Sequence, residues 1–331
     1  MSFCKTNDTI KEGDTVIIYF SFNQLQPIKV KRGSNHHTKY GSFKHADLIG
    51  KKYGSRIQCT QGTVIVLQGS PEMWTISLPH RTQIIYTPNI SVITMQLDLK
   101  PGSIVIESGT GSASLSHALI RTIFPTGHLH TFEFHLQRSE TARKEFKEHD
   151  VSDYVTVYHR DVCSDGFGKE DLADAVFLDL PSPWKAIESA KTAIKREGGR
   201  ICSFSPCIEQ VQKTSLELAR LGFVNIFTVE SLRRVLSIKK YDLPDFDFNM
   251  DWLKYKGNGQ ENENQNDQID KNEEKPVPKK IKKNFNESDD SDDEVDGSTD
   301  ATYTAKPINI QPGHTGFLTF ATLLHKDFHK V

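Results

Sequence analysis

Four carboxylates, Glu107, Glu133, Asp161 and Asp179, stand at or just beyond the ends of four predicted strands. The carboxyl ends of neighbouring parallel strands meet at one edge of a sheet, where open α/β sheets bind their ligands. Any one of these residues alone is better explained as a helix N-cap or an exposed turn. Because four acidic positions are in register with four strands, we predict a ligand site that uses carboxylates.

The first carboxylate opens a glycine-containing turn between a predicted strand, residues 103–106, and a predicted helix. The turn, residues 107–113, reads Glu-Ser-Gly-Thr-Gly-Ser-Ala. Backbone N–H groups at such a turn approach a nucleotide-like ligand closely. A dinucleotide-binding G-x-G-x-x-G motif would need a third glycine where Ser114 stands. The turn fits the motif E/D-x-G-x-G-x-G, whose ligand is S-adenosylmethionine, but an ordinary glycine-rich turn explains it about equally well.

The positions of two of the other carboxylates indicate how such a ligand would be held. Glu133 comes 22 residues after Gly111, the position from which a carboxylate accepts hydrogen bonds from ribose hydroxyls. Asp161 follows the third strand, and we expect it to meet the adenine amino group. These two roles strengthen the interpretation of the glycine turn as a cofactor motif.

Asp179 begins the loop Asp-Leu-Pro-Ser-Pro-Trp, which is similar to the target-base loop of amino-group and ring-nitrogen methyltransferases. A ring nitrogen has a free lone pair, so its methylation needs alignment and stabilisation of developing charge, but no covalent activation. We predict that Asp179 accepts a hydrogen bond from the exocyclic amine of the base. Trp184 packs either near the base or in the core at a helix start. Cys207, the only nearby thiol, is interpreted as structural.

The elements that must position these residues form two predicted domains. Short β-rich runs separated by glycines indicate a small N-terminal β-barrel, residues 1–75. In residues 76–256 and 307–331 strand and helix patterns alternate, which predicts an α/β domain with a mainly parallel sheet. The sequence contains no apolar run long enough to span a membrane and no cysteine spacing typical of a zinc site or a disulfide scaffold. We therefore expect that the protein binds no metal ion and does not associate with a membrane.

The charge of the chain is unevenly distributed. The formal net charge of −2 at first argues against a strongly basic nucleic-acid binder. Residues 257–300, however, contain 14 Asp and Glu against 6 Lys, so the other residues carry about six excess positive charges. The low apolar content of this stretch predicts that residues 257–306 are a disordered acidic insert. Its basic cluster, residues 279–283, is either a nuclear-import signal or a solvated charge run.

Six runs of the sequence resemble the catalytic-subunit family of eukaryotic tRNA (adenine-58-N1)-methyltransferase. They are residues 78–86, 107–112, 128–135, 174–184, 202–212 and 314–322. The resemblance covers nearly the whole chain except the insert. One departure is Ala113, where the motif of the family commonly has glycine, and a methyl group there is expected to crowd the cofactor slightly without abolishing binding.

The resemblance implies a class I (Rossmann-like) methyltransferase domain with a seven-stranded sheet behind the N-terminal β-barrel. It implies Asp179 as the catalytic residue and S-adenosyl-L-methionine as the cofactor. The implied cofactor contacts are Gln83, Ile84, Ile85, Tyr86, Thr87, Ser108, Gly109, Thr110, Gly111, Ser112, Ala113, Ser114, Leu115, Glu133, Arg138, Asp161, Val162 and Asp179. In this topology the last two strands are an antiparallel pair, here residues 316–322 with either 225–230 or 235–239.

The resemblance also implies partners and a compartment. The substrate is tRNA, and a related non-catalytic RNA-binding subunit is expected in a heterotetramer with two copies of each chain. Members of the family are nuclear, in agreement with the basic cluster. Two alternatives remain at this level: a methyltransferase that acts on protein or another substrate, and a catalytically silent RNA-binding subunit.

Overall fold

The computed structural model describes residues 3–22, 24–79, 81–241, 302–309 and 313–325. The basic cluster and most of the predicted acidic insert lie outside these residues. The chain divides into two compact units, residues 1–233 with 312–331, and residues 234–311. Within the described residues, no helix is both long and apolar enough to cross a bilayer.

Six strands come before the first α-helix. They are β1 Thr15–Ser21, β2 Gln24–Lys29, β3 Asn35–Thr38, β4 Gly41–Lys44, β5 Arg56–Gln58 and β6 Thr63–Gln68. An antiparallel sheet has the order β2-β1-β6-β5, and β3 pairs with β4 in a separate hairpin. Both sheets contribute to one core, to which β1 supplies Val16 and Ile18 and β4 supplies Phe43. The N-terminal region, predicted as a small β-barrel, is all-β and consists of two separate antiparallel sheets around a shared core.

In the described residues, seven α-helices and nine strands follow β6. In chain order they are α1 Pro71–Ser77, α2 Thr87–Gln96, β7 Ile104–Ser108, α3 Ser114–Ile123, β8 His128–Glu133, α4 Leu136–Glu148, β9 Val155–His159, α5 Val162–Asp165, β10 Ala175–Asp179, α6 Ile187–Ala193, β11 Gly199–Ser205, α7 Ile208–Arg220, β12 Val224–Glu230, β13 Leu236–Tyr241, β14 Thr302–Pro307 and β15 Phe317–Leu323.

Seven of these strands form one mixed sheet in the order β12-β15-β11-β10-β7-β8-β9. The five strands from β7 to β11 are parallel to one another. β15 is antiparallel to both β11 and β12. The predicted seven-stranded class I sheet is confirmed. Alternate residues of β7 enter different cores: Val105 packs with Leu119, and Ile106 packs with Ile187. Burial on both faces explains why residues 104–106 of this strand are all apolar.

The site lies where the strand order reverses. From β7 the chain proceeds outward through β8 and β9 and then returns to β10 on the other side of β7. Such a reversal leaves a crevice at the carboxyl ends of the two strands, because the connections leave them in opposite directions. Leu178 pairs with Ser108 at these ends, so the residues that follow them in sequence are adjacent.

The end of the chain resolves the two alternatives for the antiparallel pair. β12 pairs with β15, which confirms residues 225–230 as the partner and makes residues 235–239 the wrong choice. Residues 235–239 lie largely in β13, which pairs with β14 in the second compact unit. β14 includes residues 302–306, which the sequence assigned to the disordered insert. Its strand partner lies more than 60 residues earlier, so local composition did not reveal the pairing.

Candidate active site

The glycine turn after β7 is held in a conformation that suits glycine. Gly109 has φ +97° and Gly111 has φ +52°, both in the region that favours residues without a Cβ. Ala113, the N-cap of α3, is also left-handed with φ +59°, which costs an alanine about 1 kcal/mol. Glycine, which the resemblance leads us to expect at this position, would adopt this conformation without that cost.

Glu133 closes the turn from the neighbouring strand. The carboxylate is 4% exposed, and it accepts hydrogen bonds from the backbone N–H groups of Gly111 at 2.9 Å and His135 at 3.0 Å. The Arg138 guanidinium is 3.8 Å away, which is a loose ion pair. Glu133 therefore orders the turn and keeps lone pairs for a ligand with hydroxyl groups.

Glu107 is a buried carboxyl group below the same turn. It accepts hydrogen bonds from the hydroxyl groups of Ser116 at 2.6 Å and Thr131 at 2.7 Å. Its pKa is raised to about 7, first by burial and then by the negative charges of Asp179 and Glu133, against the lowering effect of the two hydroxyl groups.

Asp179 ends β10 at the opposite side of the crevice. Among the described residues, its carboxylate has no hydrogen-bond or ion-pair partner. Burial, and then the negative charge of Glu133, raise the pKa of Asp179 to about 7. A carboxyl group in this state can ionise when a positive ligand approaches or can exchange hydrogen bonds with a base amine.

A segment before α2, residues 81–85, covers the glycine turn. The backbone N–H groups of Arg81 and Thr82 both donate to the Ser112 hydroxyl, at 3.3 and 3.2 Å, and the Ser114 hydroxyl donates to the Ile85 carbonyl at 2.9 Å. The Arg81 guanidinium forms a two-bond ion pair with Glu145 of α4, with one contact at 2.9 Å. The segment is thus tied to both the turn and the adjacent helix.

These parts enclose a cleft of about 530 Å³ and a smaller pocket that adjoins it. Fifteen of the 18 predicted cofactor residues line one or both: Gln83, Ile84, Ile85, Ser108, Gly109, Thr110, Gly111, Ser112, Ser114, Leu115, Glu133, Arg138, Asp161, Val162 and Asp179. Three do not. Tyr86 is the N-cap of α2, Thr87 begins that helix, and Ala113 is buried behind the turn. The role of all 18 residues as cofactor contacts stays a prediction.

Asp161 is less available for the predicted adenine contact than expected. It caps α5, accepting hydrogen bonds from the Cys163 N–H at 2.9 Å and the Ser164 hydroxyl at 3.0 Å. Its carboxylate therefore has the N-cap role that the sequence left as the alternative, although it also lines the cleft.

The cleft also includes residues that the sequence did not single out. Phe134 lies at its rim with 61% of its surface exposed, and Thr82 and Lys185 contribute polar groups. Phe134 directly follows Glu133, so an exposed aromatic residue after a strand-end carboxylate was a usable signal. Thr82 and Lys185 had no such local signal.

The open question about Trp184 is resolved. Trp184 is partly buried against the core on the α6 side, with the Lys213 ammonium 4.9 Å above its ring, so it is a packing residue. Cys207 is exposed and is the N-cap residue of α7. The expectation that it is the only thiol near the loop is wrong, because the Cys163 thiol lies 3.8 Å from the Ser182 carbonyl. In the described part of the chain, no group of three or more His, Cys, Asp or Glu could hold a metal ion.

Taken together, the site suits a cationic ligand that carries hydroxyl groups. Four carboxylates line the two adjoining pockets, Glu107, Glu133, Asp161 and Asp179, against three cations, Arg138, Arg160 and Lys185. The N–H groups of Gly109 and Thr110 donate to the Phe132 carbonyl and that of Gly111 donates to Glu133, so the remaining lone pairs of Glu133 are acceptors for a ligand. Leu180, Pro181 and Ser182 also line the cleft.

Comparison with known proteins gives a consistent result. The family model described as tRNA methyltransferase complex GCD14 subunit matches residues 62–323. The chain is 41% identical to the tRNA (adenine(58)-N(1))-methyltransferase catalytic subunit of Dictyostelium discoideum, over 96% of this chain and 98% of that one. It is 43% identical to the protein of the same description from Schizosaccharomyces pombe, over 77% and 72% of the two chains.

Solved structures have the same fold. A SAM-dependent O-methyltransferase of Thermotoga maritima superposes with a TM-score of 0.69 at 25% identity, covering 96% of this chain and 95% of that one. A tRNA (m1A58) methyltransferase of Aquifex aeolicus superposes with a TM-score of 0.64 at 22% identity, covering 95% and 98%. At 22% identity, the similarity to the Aquifex aeolicus structure is evidence about the fold only.

Proposed function

The chain belongs to the family of tRNA (adenine(58)-N(1))-methyltransferase catalytic subunits, and we infer that it transfers a methyl group from S-adenosylmethionine to N1 of adenine 58 in tRNA. The observation that carries this inference is the position of Asp179. Its carboxyl group ends β10 beside the glycine turn and lines the same cleft as Glu133. One crevice thus contains a cofactor-type site and a carboxyl group suited to an adenine amine.

The residues present fit S-adenosylmethionine. When bound, this cofactor supplies a methyl group on a positively charged sulfur. We propose that Glu133 accepts hydrogen bonds from the ribose hydroxyls, and that the backbone of the turn from Ser108 to Ser112 packs against the cofactor, where its two glycines allow a close approach. The combined negative charge of Glu107, Glu133 and Asp179 is complementary to a cationic cofactor. This complementarity also favours release of the product cofactor, whose sulfur is neutral.

Asp179 acts on the adenine and not on the methyl group. N1 of adenine has a free lone pair and needs no general base, so a bond from N1 to the methyl carbon forms as the bond from sulfur to that carbon breaks. We propose that the Asp179 carboxylate accepts a hydrogen bond from the N6 amine. This contact orients N1 toward the methyl group, and it offsets the positive charge that moves onto the ring.

We propose that the enzyme works in a complex. The family description names a tRNA methyltransferase complex, which supports a partner subunit. About six excess positive charges outside residues 257–300 are few for binding tRNA alone, since phosphate contacts dominate the affinity for nucleic acid. A related non-catalytic RNA-binding subunit, two copies of each chain, and a nuclear location remain proposals, the last based on the basic cluster at residues 279–283.

The direct test is methylation of a tRNA transcript by the chain co-purified with its partner subunit. Labelled methyl groups should enter a transcript with adenine at position 58 and should not enter a matched transcript with guanine there. Equal labelling of both transcripts, or labelling of neither, would overturn the proposed function.

The role of Asp179 is tested separately by Asp179→Ala. We expect methylation to be abolished while calorimetry still detects cofactor binding. Loss of cofactor affinity with unchanged turnover would contradict the assignment of Asp179 to the target base.

A further inference from the structure

The loop that follows Asp179 has few hydrogen-bond donors of its own. Pro181 and Pro183 have no backbone N–H, so within residues 180–183 two backbone donors remain. The backbone contact found across this turn is the Lys185 N–H donating to the Ser182 carbonyl at 3.1 Å. Side chains from other elements supply contacts to two carbonyl groups of the loop, those of Pro181 and Ser182.

Gln210 of α7 is such a side chain. Its amide nitrogen donates to the Pro181 carbonyl at 3.0 Å. Its amide oxygen accepts the backbone N–H of Cys207 at 3.2 Å. Both ends of one planar amide are used, one toward the first turn of α7 and one toward the loop two residues after Asp179.

The contact with Cys207 is part of a capping box. Cys207 is the N-cap of α7, and Gln210 is the third helical residue, whose side chain accepts the N-cap N–H. This role needs only an acceptor, and glutamate serves as well as glutamine. Glutamate would also interact more favourably with the positive end of the helix dipole. The helix therefore does not require the amide group.

The loop, in contrast to the helix, requires the amide group of Gln210. A glutamate at position 210 has no N–H to donate to the Pro181 carbonyl and would place negative charge against that oxygen. The amide of Gln210 is thus matched to the loop and not to the helix.

The other side of the loop is held against the glycine turn. A Cβ on Gly109 would lie 2.3 Å from the Asp179 carbonyl oxygen, so turn and loop are in close backbone contact. The Cys163 thiol lies 3.8 Å from the Ser182 carbonyl, and Lys213 covers Trp184. The glycine turn thus contacts the carbonyl of Asp179, and α7 contacts the carbonyl of Pro181 two residues later.

We propose that Gln210 is a positioning residue for methyl transfer, and that its hydrogen bond to the Pro181 carbonyl holds the Asp179 loop in the orientation that aligns the target base. This inference rests on the proposed function. It concerns the rate of transfer from the bound complex, because Gln210 does not line the cofactor part of the cleft.

Three variants of the intact complex test it. Gln210→Glu keeps the capping acceptor and removes the donor, and Gln210→Ala removes both. Gln212→Glu is the matched control, because Gln212 is exposed on the same helix and receives the same added charge. Melting temperature, cofactor affinity by calorimetry, and kcat and KM for tRNA are measured for each.

We expect kcat of Gln210→Glu to fall about tenfold or more, the scale of a small misplacement at a reacting centre, while cofactor affinity and melting temperature stay near wild type. Gln210→Ala should lose kcat similarly and melt lower. Gln212→Glu should match wild type.

Wild-type kcat in Gln210→Glu would overturn the inference. So would an equal loss in Gln212→Glu, which would indicate a charge effect, or a parallel loss of cofactor affinity, which would indicate a general structural role. A wild-type complex that does not methylate tRNA would instead overturn the proposed function, and the inference with it.

Discussion

A methyl group placed on Gly109 would lie 2.3 Å from the main-chain carbonyl oxygen of Asp179. Gly109 directly follows β7 and Asp179 ends the neighbouring parallel strand β10, so the glycine turn and the Asp179 loop meet here. Backbone packed this closely leaves no space for a side chain at residue 109. The absence of a Cβ at residue 109 therefore allows the turn and the loop to approach each other.

Gly109→Ala should abolish cofactor binding and lower the free energy of unfolding by about 3 kcal/mol, from left-handed strain and a clash with main-chain atoms. Gly33→Ala is the matched control, because Gly33 has a similar φ of +85° but nothing within 4 Å of its added Cβ. The control should lose about 1–2 kcal/mol by strain alone. Urea unfolding and calorimetry measure both effects, and equal behaviour of the two variants would argue against the clash.

Glu133→Gln should weaken S-adenosylmethionine binding by about 10- to 100-fold, the loss expected for hydrogen bonds to a charged group. Both carboxylate oxygens accept backbone N–H groups, so an amide nitrogen in place of either one faces a donor with a donor. Glu140→Gln, at an exposed position of α4, should leave affinity unchanged. Unaltered affinity in Glu133→Gln, measured by calorimetry, would remove Glu133 from the ribose site.

Cofactor binding should strengthen as pH rises through about 7. Asp179 and Glu107 have pKa values raised to about 7, so each is partly protonated near neutral pH in the free protein. A cationic cofactor favours their ionised forms, and its binding should therefore release protons. Calorimetry in buffers of different ionisation enthalpy counts these protons. Asp179→Asn should reduce the number released, and a pH-independent affinity would contradict the prediction.

The same raised pKa values predict the opposite trend for the stability of the free protein. Carboxyl groups with a higher pKa in the folded state hold more protons when folded than when unfolded between about pH 4 and 7. Their contribution to the free energy of unfolding therefore declines as pH rises across that range. Urea unfolding of Asp179→Asn beside wild type, at pH 5 and pH 8, should show a smaller decline in the variant.

Arg81→Lys should lower cofactor affinity although residue 81 does not line the cleft. The Arg81–Glu145 pair holds the covering segment, its side chains are 21% and 14% exposed, and lysine cannot make both hydrogen bonds. Arg121→Lys is the matched control, because the Arg121–Glu72 pair is also two-bonded but 43% and 42% exposed. Exposed pairs contribute about 0–1 kcal/mol. Equal, small effects in both variants would indicate that the covering segment is held by other contacts.

The sequence predicted the parts of the site that depend on neighbours along the chain. The glycine turn, the strand-end carboxylates and the apolar strands are local patterns, and their periodicity together with the order of elements indicated a parallel sheet with its ligands at one edge. Glu133 and Asp179 lie in one cleft because strand order brings them together. The family resemblance added Gln83 to Ile85, which lie at the cleft although no local pattern marked them.

Other features depend on residues far apart in sequence, and only the tertiary structure decided them. Glu145 is 64 residues from Arg81, and Gln210 is 29 residues from Pro181. Three further features depend on the tertiary structure in the same way. They are the pairing of β15 with β12 and not with β13, the packing of Trp184 into the core, and the raised pKa of Asp179. Each results from burial or from contacts that form only when separate elements pack together, so no window of sequence contains the information. Types and spacing of residues determined which chemistry is present, and packing decided where each group points and how readily it ionises.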